Sequence, residues 1–293
     1  MARVLIGGCG DLGLRIARRL LSAGHEVFGV RRRPMPDGQG VRWLALDLAD
    51  AGAVRHLPPA IDWLLFMPTP DSRDPAGYRR TYLHSLRRLI THYAAQPQPP
   101  QRLLHVSSTR VFGADDGSPV DEQTTPRPRD PQGHILLEAE HIARTAPLAH
   151  RTVLRLSGLY GNAVPRAVQA LREGRARRPA GVHYGNRIHR DDAARAAVHL
   201  LAHPAPERLY LGSDDHPCDQ GELLEWLAAR LGLAPPQRAA GPATITGKRC
   251  DNTLLRSSGL RLDYPSYREG YAALLAGAPA PCPAPKPAPR DDT

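Results

Sequence analysis

The 293-residue chain is poor in lysine: it has only Lys248 and Lys286, and nothing before position 248 supplies one. Any chemistry that needs a lysine amine in the first two-thirds of the chain is therefore excluded. Aromatic residues are also few, at 5%, and the arginines are spread along the sequence rather than gathered on one element. A net charge of +10 could by itself suit a polyanion, but without stacking rings or a basic stripe nucleic acid is not the expected partner. An arginine-, alanine- and proline-rich composition accounts for the charge. Cysteine is scarce as well, and Cys9, Cys218, Cys250 and Cys282 show no C-x-x-C pairing. That argues against zinc or a disulfide framework and for reduced thiols, with Cys9 a small filler among glycines rather than a nucleophile. No apolar run reaches the roughly 18 residues a membrane span needs, no internal repeat is visible, and no leader pattern opens the chain. The expectation is a cytoplasmic protein with no membrane partner.

What is present is alternation. Short apolar runs at 3–7, 26–30, 42–46, 63–67, 102–107 and 152–156 are separated by amphipathic stretches at 12–23, 75–95 and 131–146, the pattern of βαβ units and a parallel sheet. The fold class expected is α/β, a doubly wound parallel sheet of Rossmann type with a smaller C-terminal substrate lobe. Residues 1–160 form the dinucleotide-binding domain and 161–276 mainly the lobe, with the strand and helix near 186–212 returning to the first domain. Helices are expected at 164–173, 191–203, 220–231 and 266–275, and a strand at 208–211. The segment 277–293, "GAPAPCPAPKPAPRDDT", cannot bury a core and reads as a disordered tail.

The chemistry begins at "VLIGGCGDLG", Val4 to Gly13. Gly8, Gly10 and Gly13 make G-x-G-x-x-G, while Gly7, Gly10 and Gly13 make G-x-x-G-x-x-G. Either spacing, directly after a strand and before a helix, lets backbone approach a pyrophosphate that then sits on the helix N-terminus. The end of the second strand selects the cofactor, because an acid there bonds the ribose 2′-OH of NAD and arginine accommodates the 2′-phosphate of NADP. That position reads Arg31-Arg32-Arg33, so NADP is favoured with NAD left open; the rival is a solvated basic loop. Asp47, after the third strand, suits either the adenine or the cap of the following helix. Asp11 reads as a helix-capping residue turned away from the phosphates. The cofactor-binding set is thus Gly7, Gly10, Asp11, Leu12, Gly13, Arg31, Arg32, Asp47 and Leu48.

Several stretches in this order resemble the extended short-chain dehydrogenase/reductase superfamily, also called the NAD-dependent epimerase/dehydratase family, from Met1 to about Leu275. They are the glycine loop counted through Gly7, "LDLAD" with Asp47, "SSTRVFG" at Ser107 to Gly113, "RLSGLYG" at Arg155 to Gly161, "IHRDDAARA" and "LYLGSDD". The resemblance implies a Ser/Thr, a Tyr and a Lys around the substrate carbonyl, the last two spaced Y-x-x-x-K on one helix. Hydride transfer at the carbonyl carbon requires a proton at its oxygen, and a neighbouring lysine charge tunes the tyrosine to give it. Ser108 matches the Ser/Thr. "QGHILLEAE" then places Gln132 where Tyr belongs and Leu136 where Lys belongs, with Glu140 matching the trailing acid.

No tyrosine anywhere in the chain has a lysine four residues on, so the pair is not displaced elsewhere. The resemblance is therefore to the superfamily's atypical branch, which keeps the fold and glycine loop without the Tyr and Lys. His134 and Glu138 share a helical face but point away from the Gln132 site, as an exposed residue or a helix pair would. His189 and Asp191 read as capping and interdomain contacts, and Tyr160 as a packed phenol. Two readings stand: an NAD(P)-dependent oxidoreductase of atypical mechanism on a small polar substrate, sugar- or nucleotide-linked ones among the candidates, or a non-catalytic NADP(H)-binding sensor or scaffold. No metal is expected, and a homodimer is left open.

Overall fold

The computed structural model describes residues 1–33, 40–162 and 166–277. Seven parallel strands make the central sheet: β1 Arg3–Gly7, β2 Glu26–Arg31, β3 Arg42–Ala45, β4 Trp63–Phe66, β5 Arg102–Ser108, β6 His150–Leu156 and β7 Leu209–Gly212. Their order, β3-β2-β1-β4-β5-β6-β7, runs outward in both directions from the β1/β4 pair, the doubly wound arrangement expected. Both faces are covered, which is why Val4, Leu5 and Ile6 are a continuous apolar run with no exposure rather than an alternating one.

The helices are α1 Asp11–Ser22, α2 Pro75–Tyr78, α3 Ser85–Ala94, α4 Pro131–Arg144, α5 Arg166–Arg172, α6 Arg190–Ala202, α7 Gln220–Arg230, α8 Thr253–Ser257 and α9 Tyr267–Leu275. On one face of the sheet α1 and α6 bury Ile16, Ala17 and Leu20 with Ala193, Ala197 and Leu200. On the other, α3 and α4 bury Leu86, Leu89, Ile135 and Ala139 against Leu5, Leu64 and Phe66. Both α2 and α4 start at Asp-Pro: Asp74 and Asp130 accept the backbone N–H of Gly77 and Gly133, and the proline fills the first helical position, where no N–H is needed. The single helix expected over 75–95 is interrupted by a π-helical segment, Arg79–His84. Ser85 Oγ donates to the Arg80 carbonyl there, a backbone acceptor whose partner the wider turn shifts.

The C-terminal half supplies a lobe of short ladders. Val182–Gly185 lies between Cys218–Asp219 and Ile245–Gly247, Arg187–His189 pairs with Gly158–Tyr160, and Arg249–Cys250 pairs with Pro119–Val120. Its own core joins Val168 and Leu171 of α5, Leu223 and Leu227 of α7, and Tyr267 and Tyr271 of α9. The segment through α6 and β7 packs with the central sheet instead, as do Leu255 and Leu260. Position 164, where the helix expected at 164–173 would start, and the Pro-rich stretch 278–293 lie outside the described residues. Among the described residues no helix is long and apolar enough to cross a membrane.

Candidate dinucleotide site and the groove beside it

The β1–α1 turn stands at the C-terminal edge of the sheet, where the strand order reverses and where such sheets take ligands. Gly8 has φ +87, its N–H and that of Cys9 both donate to the Val30 carbonyl at 3.0 and 2.9 Å, and a Cβ on it would lie 2.5 Å from Pro68 N. The glycine outside the Gly7/Gly10/Gly13 spacing is therefore the one the backbone most strictly requires. Gly7 is closed in by Leu48 Cδ1 and Phe66 Cδ2, and Gly13 by Cys9 Sγ at 3.1 Å. Cys9 itself has no exposure, and burial pushes its thiol up to about 12 against the pull of Arg31. It is a packing residue, not a thiolate.

Gly10 differs from its neighbours. It is the N-cap of α1, no side chain caps the helix, and a Cβ there would meet nothing within 4 Å. Among the described residues the N–H groups of Asp11, Leu12 and Gly13 have no acceptor. Open space above unengaged N–H groups at a helix N-terminus suits an anionic oxygen cluster. Asp11 does not cap the helix, contrary to the sequence reading: it is the first helical residue, and its carboxylate turns sideways to Arg190 Nη1 at 2.8 Å and Arg15 Nε at 3.5 Å. Two guanidinium partners outcompete backbone N–H groups that already point into open space.

At the end of β2 the two arginines differ. Arg31 is half-buried, with Nη1 shielded from solvent and without an acceptor among the described residues, while Arg32 is exposed and ion-paired with Asp71. An orphaned guanidinium nitrogen beside the glycine turn fits a phosphate or hydroxyl oxygen. Asp47 Oδ1 accepts the Ala49 N–H at 2.9 Å and Oδ2 takes Arg80 Nη2 at 2.5 Å, so both oxygens are engaged. Leu48 is buried against Gly7.

Ser108 ends β5, half-buried, and its Oγ accepts the Arg110 N–H at 3.2 Å. Gln132, in the first turn of α4, donates from Nε2 to the Arg73 carbonyl at 2.7 Å. Leu136 is 4% exposed and packs with Val111, Phe112, Val120, Leu211 and Cys250. One turn on, Glu140 is buried in an ion pair with Arg155, 2.7 Å at its closest, and accepts Ser107 Oγ at 2.6 Å. Its neighbour His105 has no exposure and burial holds its imidazole down to about 4, hence neutral. His134 is exposed, and Glu138 pairs with Arg87 and Arg79 rather than with it. His189 caps α6, its Nδ1 accepting the Asp191 N–H at 3.2 Å. Tyr160 packs edge-on to His189 and against Tyr271, and burial drives its phenol well above the ordinary value.

From Thr109, the residue after Ser108, a groove of about 400 Å³ runs between the 109–115 segment and the C-terminal lobe. Thr109, Arg110, Asp130, His183, Asn186 and Lys248 contribute to its polar lining. Lys248 arrives from the lobe, its Nζ 3.5 Å from the Phe112 carbonyl. The rarity of lysine marked this residue in the sequence, but nothing there placed it beside Phe112. Among the described residues no cluster of three or more His, Cys, Asp or Glu could hold a metal ion.

A sequence model of the NAD dependent epimerase/dehydratase family matches residues 4–212. Protein YeeZ of Escherichia coli strain K12 is 28% identical over 279 residues, which cover 90% of this chain and 97% of YeeZ. A solved structure from Methylobacillus flagellatus, assigned to an NAD-dependent epimerase/dehydratase, is 38% identical, with a TM-score of 0.80 over 94% of this chain and 98% of its own. A short-chain dehydrogenase/reductase superfamily protein from Agrobacterium tumefaciens, solved with bound NAD, is 21% identical with a TM-score of 0.79 over 94% and 97%, a likeness of fold.

Proposed function

Because the chain belongs to the NAD-dependent epimerase/dehydratase family, we propose that it binds a nicotinamide dinucleotide, NADP in preference to NAD. With it the protein acts as an oxidoreductase of atypical mechanism on a small polar, sugar- or nucleotide-linked substrate. The observation that carries this reading is the seat at the start of α1: open space at Gly10, unengaged N–H groups on Asp11, Leu12 and Gly13, and the orphaned Arg31 Nη1 nearby. In this reading the three N–H groups hold the pyrophosphate and Arg31 meets the 2′-phosphate. The bound dinucleotide would supply hydride exchange at a substrate carbon. Ser108 would hydrogen-bond the substrate oxygen, and the polar groove with Lys248 would hold the rest of the molecule. A Tyr-x-x-x-Lys pair takes no part.

A second reading, a non-catalytic NADP(H) sensor or scaffold, is favoured by one feature. Gln132 is tied to a backbone carbonyl and Leu136 is sealed in an apolar cluster, so neither can deliver a proton. Titrating NADPH and NADH into the purified protein by calorimetry, followed by the structure of the complex, tests both. Tight NADPH binding with an ordered nicotinamide facing Ser108 supports the enzyme. A nicotinamide left in solvent supports the sensor, and no binding of either dinucleotide removes both.

A further inference from the structure

Asp11 is an anomaly in an anion seat: a carboxylate in the first turn of the helix whose N-terminus would receive phosphates, and like charges there repel. The fold answers it from 179 residues away. Arg190, the first residue of α6, donates to Asp11 Oδ2 at 2.8 Å. The same Asp11 oxygen faces Arg15 Nε at 3.5 Å, and Arg15 Nη1 reaches Asp191 Oδ1 at 2.5 Å. Two carboxylates and two guanidinium groups thus form one neutral set at the paired N-termini of α1 and α6.

The set is half shielded from water. Arg15 is 7% exposed, and Arg15 Nη2 and Arg190 Nε are buried without acceptors among the described residues. Charges here are screened less than on an open surface. Removing Arg190 would leave one uncompensated negative charge beside the seat, because Arg15 is shared with Asp191.

We propose that Arg190 is a positioning residue of the dinucleotide seat: it holds the Asp11 carboxylate aside and cancels its charge, so that the N–H groups of α1 can donate to a pyrophosphate. This rests on the cofactor reading above. Each residue alone looks like surface charge; together they make the seat neutral.

The test is a double-mutant cycle read as dissociation constants for NADPH and NADH, at about 0.05 M and 0.5 M salt, with wild type measured first. Arg190→Ala is expected to weaken binding about tenfold, the size of one uncompensated charge at a partly solvated site. Asp11→Asn alone should bind as well as wild type or better. The double variant should return to within about twofold of wild type, and the Arg190→Ala defect should shrink at the higher salt. A merely structural role for Arg190 would not be repaired by removing a second charge. Unchanged affinity in Arg190→Ala, weakened affinity in Asp11→Asn, or a double variant as weak as Arg190→Ala each overturns the proposal, the last making Arg190 a direct ligand. Should Arg190→Ala fail to fold, Arg190→Gln with and without Asp11→Asn runs the same cycle. If wild type binds neither dinucleotide, the cofactor reading falls first, a failure visible before any variant is compared.

Discussion

Gly8 and Pro68 meet backbone to backbone, so close that a Cβ on Gly8 would sit 2.5 Å from the proline nitrogen. The glycine turn is thus braced against the segment that follows β4, and the φ of +87 at Gly8 follows from that approach. Gly10, two residues on, faces open space. The two glycines should therefore fail differently. Gly8→Ala forces a side chain into a left-handed backbone and into Pro68, and should cost about 2–3 kcal/mol or more by urea denaturation. Gly10→Ala should leave stability within about 0.5 kcal/mol while weakening NADPH binding at least about tenfold, since the methyl enters the seat. Equal loss of stability in both would show that Gly10 is structural after all.

Restoring the conventional residues is not a local change. Leu136 lies within the Val111, Phe112 and Cys250 cluster, and Glu140, one turn along the same helix, is already committed to Arg155. Leu136→Lys would bury an ammonium in that apolar cluster, with Glu140 already engaged by Arg155. A lysine displaced by about three pKa units costs roughly 4 kcal/mol at 1.36 kcal/mol per unit. A drop of that size in the unfolding free energy of Leu136→Lys is expected, with Gln132→Tyr alone costing far less because Gln132 is at the helix start and half-buried. A double variant as stable as wild type would mean that the site is only masked.

The inner strands of the central sheet are legible in the sequence for a physical reason. Strands buried on both faces must be nearly all apolar, so "RVLIG" and "WLLF" announce themselves, and their ends fall within a residue or two of where the pattern stops. The helices of the lobe are legible by their period, as α7 and α9 show, but its strands are not. Its ladders are two to four residues long and pair across long separations, as Pro119–Val120 does with Arg249–Cys250, so no local period marks them. The site divides in the same way. A glycine turn is written in adjacent residues, whereas the Arg190 partner of Asp11 and the position of Lys248 exist only once the chain is folded. Arg31 and Arg32 look equivalent on paper and become different because the fold buries a nitrogen of Arg31 while Arg32 is exposed and pairs with Asp71.

That difference predicts an asymmetry in cofactor choice. Arg31 has a buried nitrogen to offer, and a hydrogen bond from a charged group contributes about 1.5–3 kcal/mol, or roughly ten- to a hundredfold in affinity. Arg31→Ala should lower NADPH affinity by that factor and leave NADH affinity little changed. Arg32→Ala breaks an exposed ion pair with Asp71 and should alter either affinity by no more than about threefold. Equal effects of the two changes, measured by fluorescence titration, would spread the 2′-phosphate contact over the whole arginine run.

Asp214 gives the fold a pH dependence of unusual sign for a carboxylate. It is 1% exposed, Oδ2 has no partner among the described residues, and burial pushes its carboxyl up to about 8 despite the pull of Arg187. In the unfolded chain the same group ionises near the ordinary value of about 3.9. Between these two pH values the folded protein holds a proton that the unfolded chain releases, so rising pH favours unfolding. The contribution of Asp214 is full below about pH 4, declines through neutrality, and levels off once pH passes the folded value near 8. Burial also lowers the imidazoles of His105 and His189, which act in the opposite direction, but they remain in any Asp214 variant and cancel in the comparison. Asp214→Asn removes the ionisation while keeping an oxygen for the His216 N–H. Its stability relative to wild type should therefore rise steadily from pH 5 to pH 8, by a few kcal/mol, and then stay constant to pH 9. Urea midpoints at each pH measure this directly, and parallel curves for the two proteins would show that Asp214 is already ionised in the fold, with Arg187 as its full counter-charge.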